Sequence, residues 1–343
     1  MQVRRLGNSG ALVSAWCLGT MTFGKEADEA TSFAMMDLYA KAGGNFLDTA
    51  NVYSRGTSEE IVGRWLKARP TEARQMLVAT KGRFTMGEGL NDLGVSRRHL
   101  GIALDESLAR LGVERIDLYQ MHAWDALTPL EETLRFLDDS IRAGKIAYYG
   151  FSNYLGWQIA KAVQIAKFMG YAAPVTLQPH YNLIVRDIEF EIVPACLDAG
   201  MGLLPWSPLG GGWLTGKYKR DMTPTGRSRL GEDPKRGQEA YGPRNASERV
   251  WAIIGALETV AEAHGVSMAE VALAWVAGRP AVSSVILGAR TLEQLAENLK
   301  ADALRLTPDE VAALDAASAP VMGDYPYGPG GVSQRLRTIP GQA

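Results

Sequence analysis

IDLYQMHAWDALTPLEETLRFLDDSIRAGKIAYYGFS, residues 116–152, begins and ends on short apolar runs, Ile116 to His122 and Ala147 to Ser152. Both have strand length, and Pro129 to Ala143 between them carries a helical pattern. Gly144 stands just past that helix, where a left-handed residue is wanted. Strand, helix and strand in this order make one βαβ unit, whose two strands lie parallel.

The same alternation extends in both directions. Further strands are expected at Leu12 to Thr20, Asn45 to Ala50, Met76 to Lys81, Val175 to Asn182, Met201 to Pro208 and Val282 to Gly288. Helices are expected at Glu29 to Ala42, Ser58 to Ala68, Ser96 to Leu111, Gly156 to Met169 and Glu189 to Ala199. Leu100, Leu104, Leu108 and Leu111 fall close to helical period, and Ser96 can cap the amides that open their helix. Gly112, Gly170 and Gly200 repeat the punctuation of Gly144. Thr291 with Gln294 fits a capping box.

Eight strands in unbroken alternation favour a closed (β/α)8 TIM barrel over an open sheet, and strands two to seven start about 25–40 residues apart, a normal βα spacing. Asn8-Ser9-Gly10 between short apolar runs predicts an N-terminal hairpin before the barrel. Trp213 to Ala246 is rich in Gly, Pro, Arg and Lys without a period, and reads as one long loop after the seventh barrel strand, the kind that serves as a lid or binding loop. Ser247 to His264 and Met268 to Gly278 read as helices, and the tail from Val321 as irregular. A single domain is expected over 1–343, with its core at about 3–320 and a C-terminal tail at 321–343.

The chain carries 36 Lys+Arg and 38 Asp+Glu, a net charge of −2. That balance offers no electrostatic reason to bind nucleic acid or an anionic membrane. Apolar residues are 46% and charged residues 22%, which excludes a disordered chain. Cys17 and Cys196 are too few for a disulfide framework or a four-ligand zinc site, and read as small buried hydrophobes. The N-terminus lacks the apolar core of a signal peptide and no run has membrane-spanning length, so a cytoplasmic location is expected.

In a barrel, chemistry collects at the C-terminal ends of the strands. Asp48 with Tyr53 just beyond it, Lys81, and His122 stand at three neighbouring strand ends. A free phenol titrates near about 10, too high for an efficient acid at neutral pH. A lysine cation beside it favours the phenolate and lowers that value, and an aspartate holds the lysine charged. A neutral histidine can then fix a carbonyl oxygen. The set suits protonating a carbonyl oxygen while hydride reaches the carbon.

These residues resemble the aldo-keto reductase family, in its aryl-alcohol dehydrogenase-like and potassium channel β-subunit-like branch, over roughly Val3 to Pro320. Asp48-Thr49-Ala50-Asn51-Val52-Tyr53-Ser54, with Gly56, Ser58 and Glu59, is similar to the signature around the family's aspartate and tyrosine. The resemblance implies NADPH-dependent, reversible reduction of an aldehyde or ketone, with Tyr53 as general acid, Lys81 and Asp48 tuning it, and His122 orienting the carbonyl. It implies a cofactor site of Gly19, Thr20 and Met21 beside Asp48; Ser152, Asn153 and Gln178 at the carboxamide; and Trp206 stacked on the nicotinamide. Ser207, Leu209, Gly211 and Leu214-Thr215-Gly216-Lys217 would cover the pyrophosphate, and Gly288, Arg290, Gln294, Glu297 and Asn298 the adenosine end. An arginine at Arg290 suits a 2′-phosphate, hence NADPH over NADH. Lys217, Lys219, Arg220, Arg227 and Arg229 are either a solvated face or the source of a pyrophosphate clamp. His180 departs from the glutamate common near that place and reads as structural. Trp206 has a packing alternative, as Gly210-Gly211-Gly212 has a plain turn.

Met21, Phe23, Tyr53, Phe84, His122 and Trp124 would make an apolar, aromatic substrate pocket, suited to an aromatic or bulky carbonyl. No Gly-x-Gly-x-x-Gly follows a strand, which argues against a Rossmann site. No metal site is expected, because His99 and His264 fall in helices. The alternative to an enzyme is a cofactor-sensing binding module resembling potassium channel β-subunits. It would require a docking surface and a stable homo-oligomer.

Overall fold

A computed structural model describes residues 1–226, 228–235 and 237–335; Arg227, and the last part of the predicted tail, fall outside the described residues. A hairpin of β1 (Val3–Arg5) and β2 (Leu12–Ser14) precedes eight strands: β3 (Trp16–Gly19), β4 (Phe46–Asp48), β5 (Leu77–Gly82), β6 (Ile116–Met121), β7 (Ile146–Ser152), β8 (Thr176–Gln178), β9 (Gly202–Leu203) and β10 (Val285–Leu287). All eight pair in parallel in the order β10-β3-β4-β5-β6-β7-β8-β9. The two edges meet at Leu203, which bridges Val282, donates its N–H to Ala281 O (2.7 Å) and accepts from Ser283 N (2.9 Å). The result is a nearly closed (β/α)8 barrel, as the alternation predicts.

Helices α1 (Glu29–Lys41), α2 (Thr57–Ala68), α3 (Arg97–Leu111), α4 (Leu130–Arg142), α5 (Gly156–Met169), α6 (Ile192–Asp198), α7 (Glu248–His264), α8 (Met268–Ala277), α9 (Leu292–Leu299) and α10 (Pro308–Ala317) surround it. Ser96 caps α3 by accepting from His99 N, and Gly112 and Gly170 close α3 and α5 in the left-handed conformation.

Several expectations change. The strand expected at Leu12 to Thr20 is two, β2 and β3, because Ala15 is where the chain exchanges its hairpin partner for a barrel neighbour: its N–H goes to Gln2 O and its carbonyl accepts from Val285 N (each 2.9 Å). The strands expected at Val175 to Asn182 and Met201 to Pro208 shrink to β8 and β9, since Pro179 and Pro205 have no N–H for the ladder. The segment after β9 is not one structureless loop: it holds helical turns at Gly210–Thr215, Arg229–Glu232, Gly237–Glu239 and Tyr241–Asn245. The tail forms a short helix at Pro329–Arg335.

Two hydrophobic layers result. The larger lies between helices and barrel, with Leu18, Leu47, Val78, Tyr119 and Phe151 facing helix residues such as Met36, Trp65, Leu104 and Leu134. The smaller joins Cys17, Phe46, Ala79, Leu118, Leu204 and Ile286, drawn from six barrel strands or their extensions, to Leu6 and Val13 of the hairpin. The hairpin therefore stoppers the N-terminal end of the barrel. Gly7 makes this possible: its φ is 56°, and a Cβ there would strike the Val175 carbonyl. Strand side chains alternate with period two. Two residues beyond members of this inner layer come Gly19, Asp48, Lys81, Gln120, Trp206 and Gly288, at the opposite, C-terminal mouth. Among the described residues no helix is long and apolar enough to cross a membrane.

Candidate active site

Lys81, fully buried on β5, is the hub of the mouth. Its Nζ donates to Asp48 Oδ2 (2.6 Å), the Thr49 carbonyl (2.7 Å) and Tyr53 Oη (3.4 Å). Tyr53 reaches this point because the chain after β4 makes a tight turn at Tyr53–Gly56, with Ser54 and Arg55 at positive φ (48° and 54°) and Ser54 Oγ bonded to Phe23 O (2.8 Å). Ser58, at the start of α2, links this turn to the barrel through Thr20 and Thr49. His122 follows β6, its N–H on Gly82 O (3.1 Å), and its ring meets Tyr53 edge-on at 5.8 Å. The four residues singled out in the sequence thus come together at one mouth.

Two glutamines complete the Asp48 carboxylate. Oδ1 accepts from Gln178 Nε2 (2.9 Å) and Gln120 Nε2 (3.2 Å). Gln120 is not among the site residues expected from the sequence. The available signal is its spacing: on a strand, the residue two before His122 shares its face. Glu59 is fully buried, accepting from Thr80 Oγ1 (2.5 Å) and Arg110 Nε (2.7 Å).

The electrostatics differ from the sequence expectation at one point. Burial pushes the Tyr53 phenol above its ordinary value and outweighs the opposing pull of Lys81, so the net shift is upward rather than downward. Burial works against the Lys81 charge, but Asp48 and then Tyr53 outweigh it and hold the ammonium above its usual value. Burial, with the Lys81 and Arg83 charges, drives His122 well below its usual value, leaving it a neutral imidazole.

Around this centre stand the residues expected to hold a dinucleotide cofactor. Asn153, at φ 58°, donates through Nδ2 to Ser152 Oγ (2.9 Å) and His122 O (3.0 Å), and accepts from Trp206 Nε1 (3.2 Å). The Asn51 amide is buried in the mouth with neither its nitrogen nor its oxygen partnered. Gln178 spends its Nε2 on Asp48 Oδ1. Ser207 Oγ donates to the Glu239 carboxylate, and Leu209 leads into the glycine turn at Gly210–Thr215. A Cβ on Gly211 would strike Glu239, and one on Gly212 would strike the Lys217 ammonium. Thr215 Oγ1 bonds Gly212 O (2.8 Å), Gly216 closes the turn at φ 72°, and Leu214 is buried in the core.

Burial and then the nearby charges of Arg290 and Arg229 lower Lys217, against the opposing charge of Glu239. Arg290 meets Glu232 (3.1 Å) and Glu26 (3.7 Å). The Thr291–Gln294 capping box is only half formed: Thr291 accepts from Gln294 N, while Gln294 Oε1 turns to Arg290 N (2.9 Å). Glu297 pairs with Lys300 (2.6 Å), and Asn298 Nδ2 reaches Gly288 O (3.5 Å). Gly19 and Thr20 abut Asp48, with Thr20 Oγ1 on the Asp48 carbonyl (3.1 Å).

Of the pocket residues, Phe84 meets His122 edge-on at 4.7 Å, Trp124 is half-buried against Tyr154 and Trp157, and Met21 is exposed. Phe23 is fully buried in the larger core layer.

The model of the aldo/keto reductase family matches residues 15–319. A probable voltage-gated potassium channel subunit beta of Oryza sativa is 37% identical, covering 92% of this chain and 96% of that protein. The versiconal hemiacetal acetate reductase of Aspergillus parasiticus is 34% identical, covering 93% and 98%. The aryl-alcohol dehydrogenase [NADP(+)] of Phanerodontia chrysosporium is 33% identical, covering 93% and 86%.

Proposed function

The chain belongs to the aldo/keto reductase family, and from that premise we propose that it reduces an aromatic or bulky apolar aldehyde or ketone to the alcohol with NADPH, reversibly, using Tyr53 as general acid. The observation that carries this reading is the bridging of Asp48 and Tyr53 by the buried Lys81 ammonium.

The nicotinamide, when bound, supplies hydride to the carbonyl carbon. The protein's part is positional and electrostatic. Neutral His122 donates a hydrogen bond to the carbonyl oxygen and holds it beside the Tyr53 hydroxyl. Tyr53 gives that oxygen its proton, and the phenolate left behind is stabilised by Lys81, which Asp48 keeps charged. Because burial raises the phenol, Lys81 acts mainly as charge develops, so its effect is larger in the transition state than in the ground state. Ser152 and Asn153 hold the carboxamide, Trp206 covers the ring, and Arg290 takes the 2′-phosphate by exchanging its half-exposed partner Glu232.

Tyr53→Phe tests the reading across a panel of aldehydes and ketones with NADPH and with NADH. Turnover should fall by about 100-fold or more, the usual contribution of a positioned acid, with cofactor affinity retained. Wild-type turnover in Tyr53→Phe on any good substrate would remove Tyr53 from the acid role. The likeness to a potassium channel subunit favours a second reading, a cofactor-sensing module that assembles as a homo-oligomer. Size-exclusion chromatography with pull-down tests it, and a fast-turning monomer argues against it.

A further inference from the structure

We propose that Arg83 binds a carboxylate at the substrate mouth, so that the preferred substrates are aromatic carbonyl compounds carrying an acid group. The proposal deepens the carbonyl-reductase reading and rests on it for the word substrate; the carboxylate site itself stands on Arg83.

Arg83 lies two residues beyond Lys81, just past the end of β5. Its φ of 150° is one that residues with a side chain rarely adopt. The surrounding loop maintains it, with the Arg83 carbonyl accepting from Gly94 N (2.8 Å). Such backbone strain persists where the position of a side chain is over-determined by its surroundings.

The guanidinium is set one ring away from His122. Its Cζ lies 4.9 Å from the Phe84 ring centroid, and the Phe84 ring meets His122 at 4.7 Å. Its charge is one of the three causes that keep His122 neutral. Nη2 donates to the Trp124 carbonyl (3.3 Å), while Nε is buried with no acceptor. Among the described residues no carboxylate lies within ion-pair distance of Arg83. Asp125 feels its charge, but the Asp125 oxygens are taken by Val95 N (3.0 Å), Leu127 N (3.0 Å) and Thr128 Oγ1 (2.7 Å).

Nη1 makes no hydrogen bond among the described residues and is not buried, and a carboxylate is the group whose charge and geometry suit a guanidinium with a free donor. The walls suit the rest of such a molecule. Phe84 and Trp124 offer ring faces or edges, and Trp157 at the start of α5, 54% exposed, carries the aromatic surface outward from Trp124 (5.5 Å). An aryl ring with its carbonyl at His122 and Tyr53 can therefore present an acid to Arg83.

The test uses the full chain with NADPH and compares benzaldehyde with 2-, 3- and 4-carboxybenzaldehyde in the wild type, Arg83→Gln and Arg83→Lys. At least one isomer should exceed benzaldehyde in kcat/KM by about 10-fold or more, mainly through KM, and Arg83→Gln should bring that ratio to about 1, as expected when a charged partner is removed. Arg83→Lys should keep part of the preference, having charge without the planar fork. In parallel, binding of benzoate and benzamide to the NADP+-loaded protein is read by tryptophan fluorescence, and thermal midpoints confirm that the variants fold. Benzoate should bind more tightly than benzamide, and only in proteins with a cation at this position. Equal binding of the two by the wild type, or equal weakening of both in Arg83→Gln, overturns the proposal. If benzoate binds through Arg83 but no aldehyde is reduced, the carboxylate site stands and the carbonyl-reductase reading falls. If the aldehydes are reduced with no preference for an acid group, the reverse holds.

Discussion

The Trp206 indole lies flat on the His180 imidazole, with ring centroids 4.2 Å apart and planes 11° from parallel. Asn182 Nδ2 is 3.2 Å from His180 Nε2, and the N–H of Trp206 bonds the Pro179 carbonyl, so ring and backbone are both fixed. One face of the indole is thus backed by the protein. In the proposed role, the nicotinamide uses the other. Removing the backing in His180→Ala should destabilise the fold by about 1–2 kcal/mol, aromatic pairing plus lost packing. It should also weaken NADPH binding by about 3–10-fold, a loss of roughly 1 kcal/mol. Urea unfolding and fluorescence titration measure the two. An affinity within about twofold of wild type would mean that the stack serves packing alone.

The Lys81–Asp48 pair has both partners out of water, at 0% and 2% exposure. Removing one partner of such a pair leaves an uncompensated buried charge, at a typical cost of about 3–5 kcal/mol. Lys81→Met should show that loss in chemical denaturation, and Asp48→Asn combined with Lys81→Met should recover part of it, although neither variant should reduce carbonyls. If the double variant is less stable than Lys81→Met by the full Asp48→Asn increment, the two residues are not energetically coupled.

His122 predicts how stability depends on pH. Its folded value is depressed well below the ordinary one by burial and by the Lys81 and Arg83 charges. The unfolded chain takes up a proton near pH about 6.5 that the folded chain refuses. The contribution is therefore complete above that pH and declines as pH falls through it toward the folded value. Unfolding free energy measured between about pH 8 and pH 5 should decline more steeply for wild type than for His122→Gln, which cannot take up that proton. Parallel curves would show that His122 titrates alike in both states.

Much of the architecture is legible in sequence because its causes are local. Strand and helix differ in apolar period over a few residues, and Ser96, Gly112 and Gly170 punctuate helices through their own side chains or lack of one. The barrel then follows from repetition, and with it the rule that Asp48, Lys81 and His122, at strand ends, meet at one mouth. The convergence of these three with Tyr53, in the turn just beyond β4, is legible for that reason.

Only the tertiary structure decided the rest, because it depends on distance through space and on loss of water. The chain's change of partner at Ala15 needs β10, far along the sequence. Gln178 turns to Asp48 because barrel closure brings their strands' ends together, and Gln120 joins them for the same reason. Glu239 and Glu26 reach Ser207 and Arg290 only once the segment after β9 and the loop after β3 have packed. The direction of the Tyr53 shift is the clearest case. The residue types alone predict a phenol pulled down by lysine, but burial is a property of the whole fold, and here it outweighs the cation.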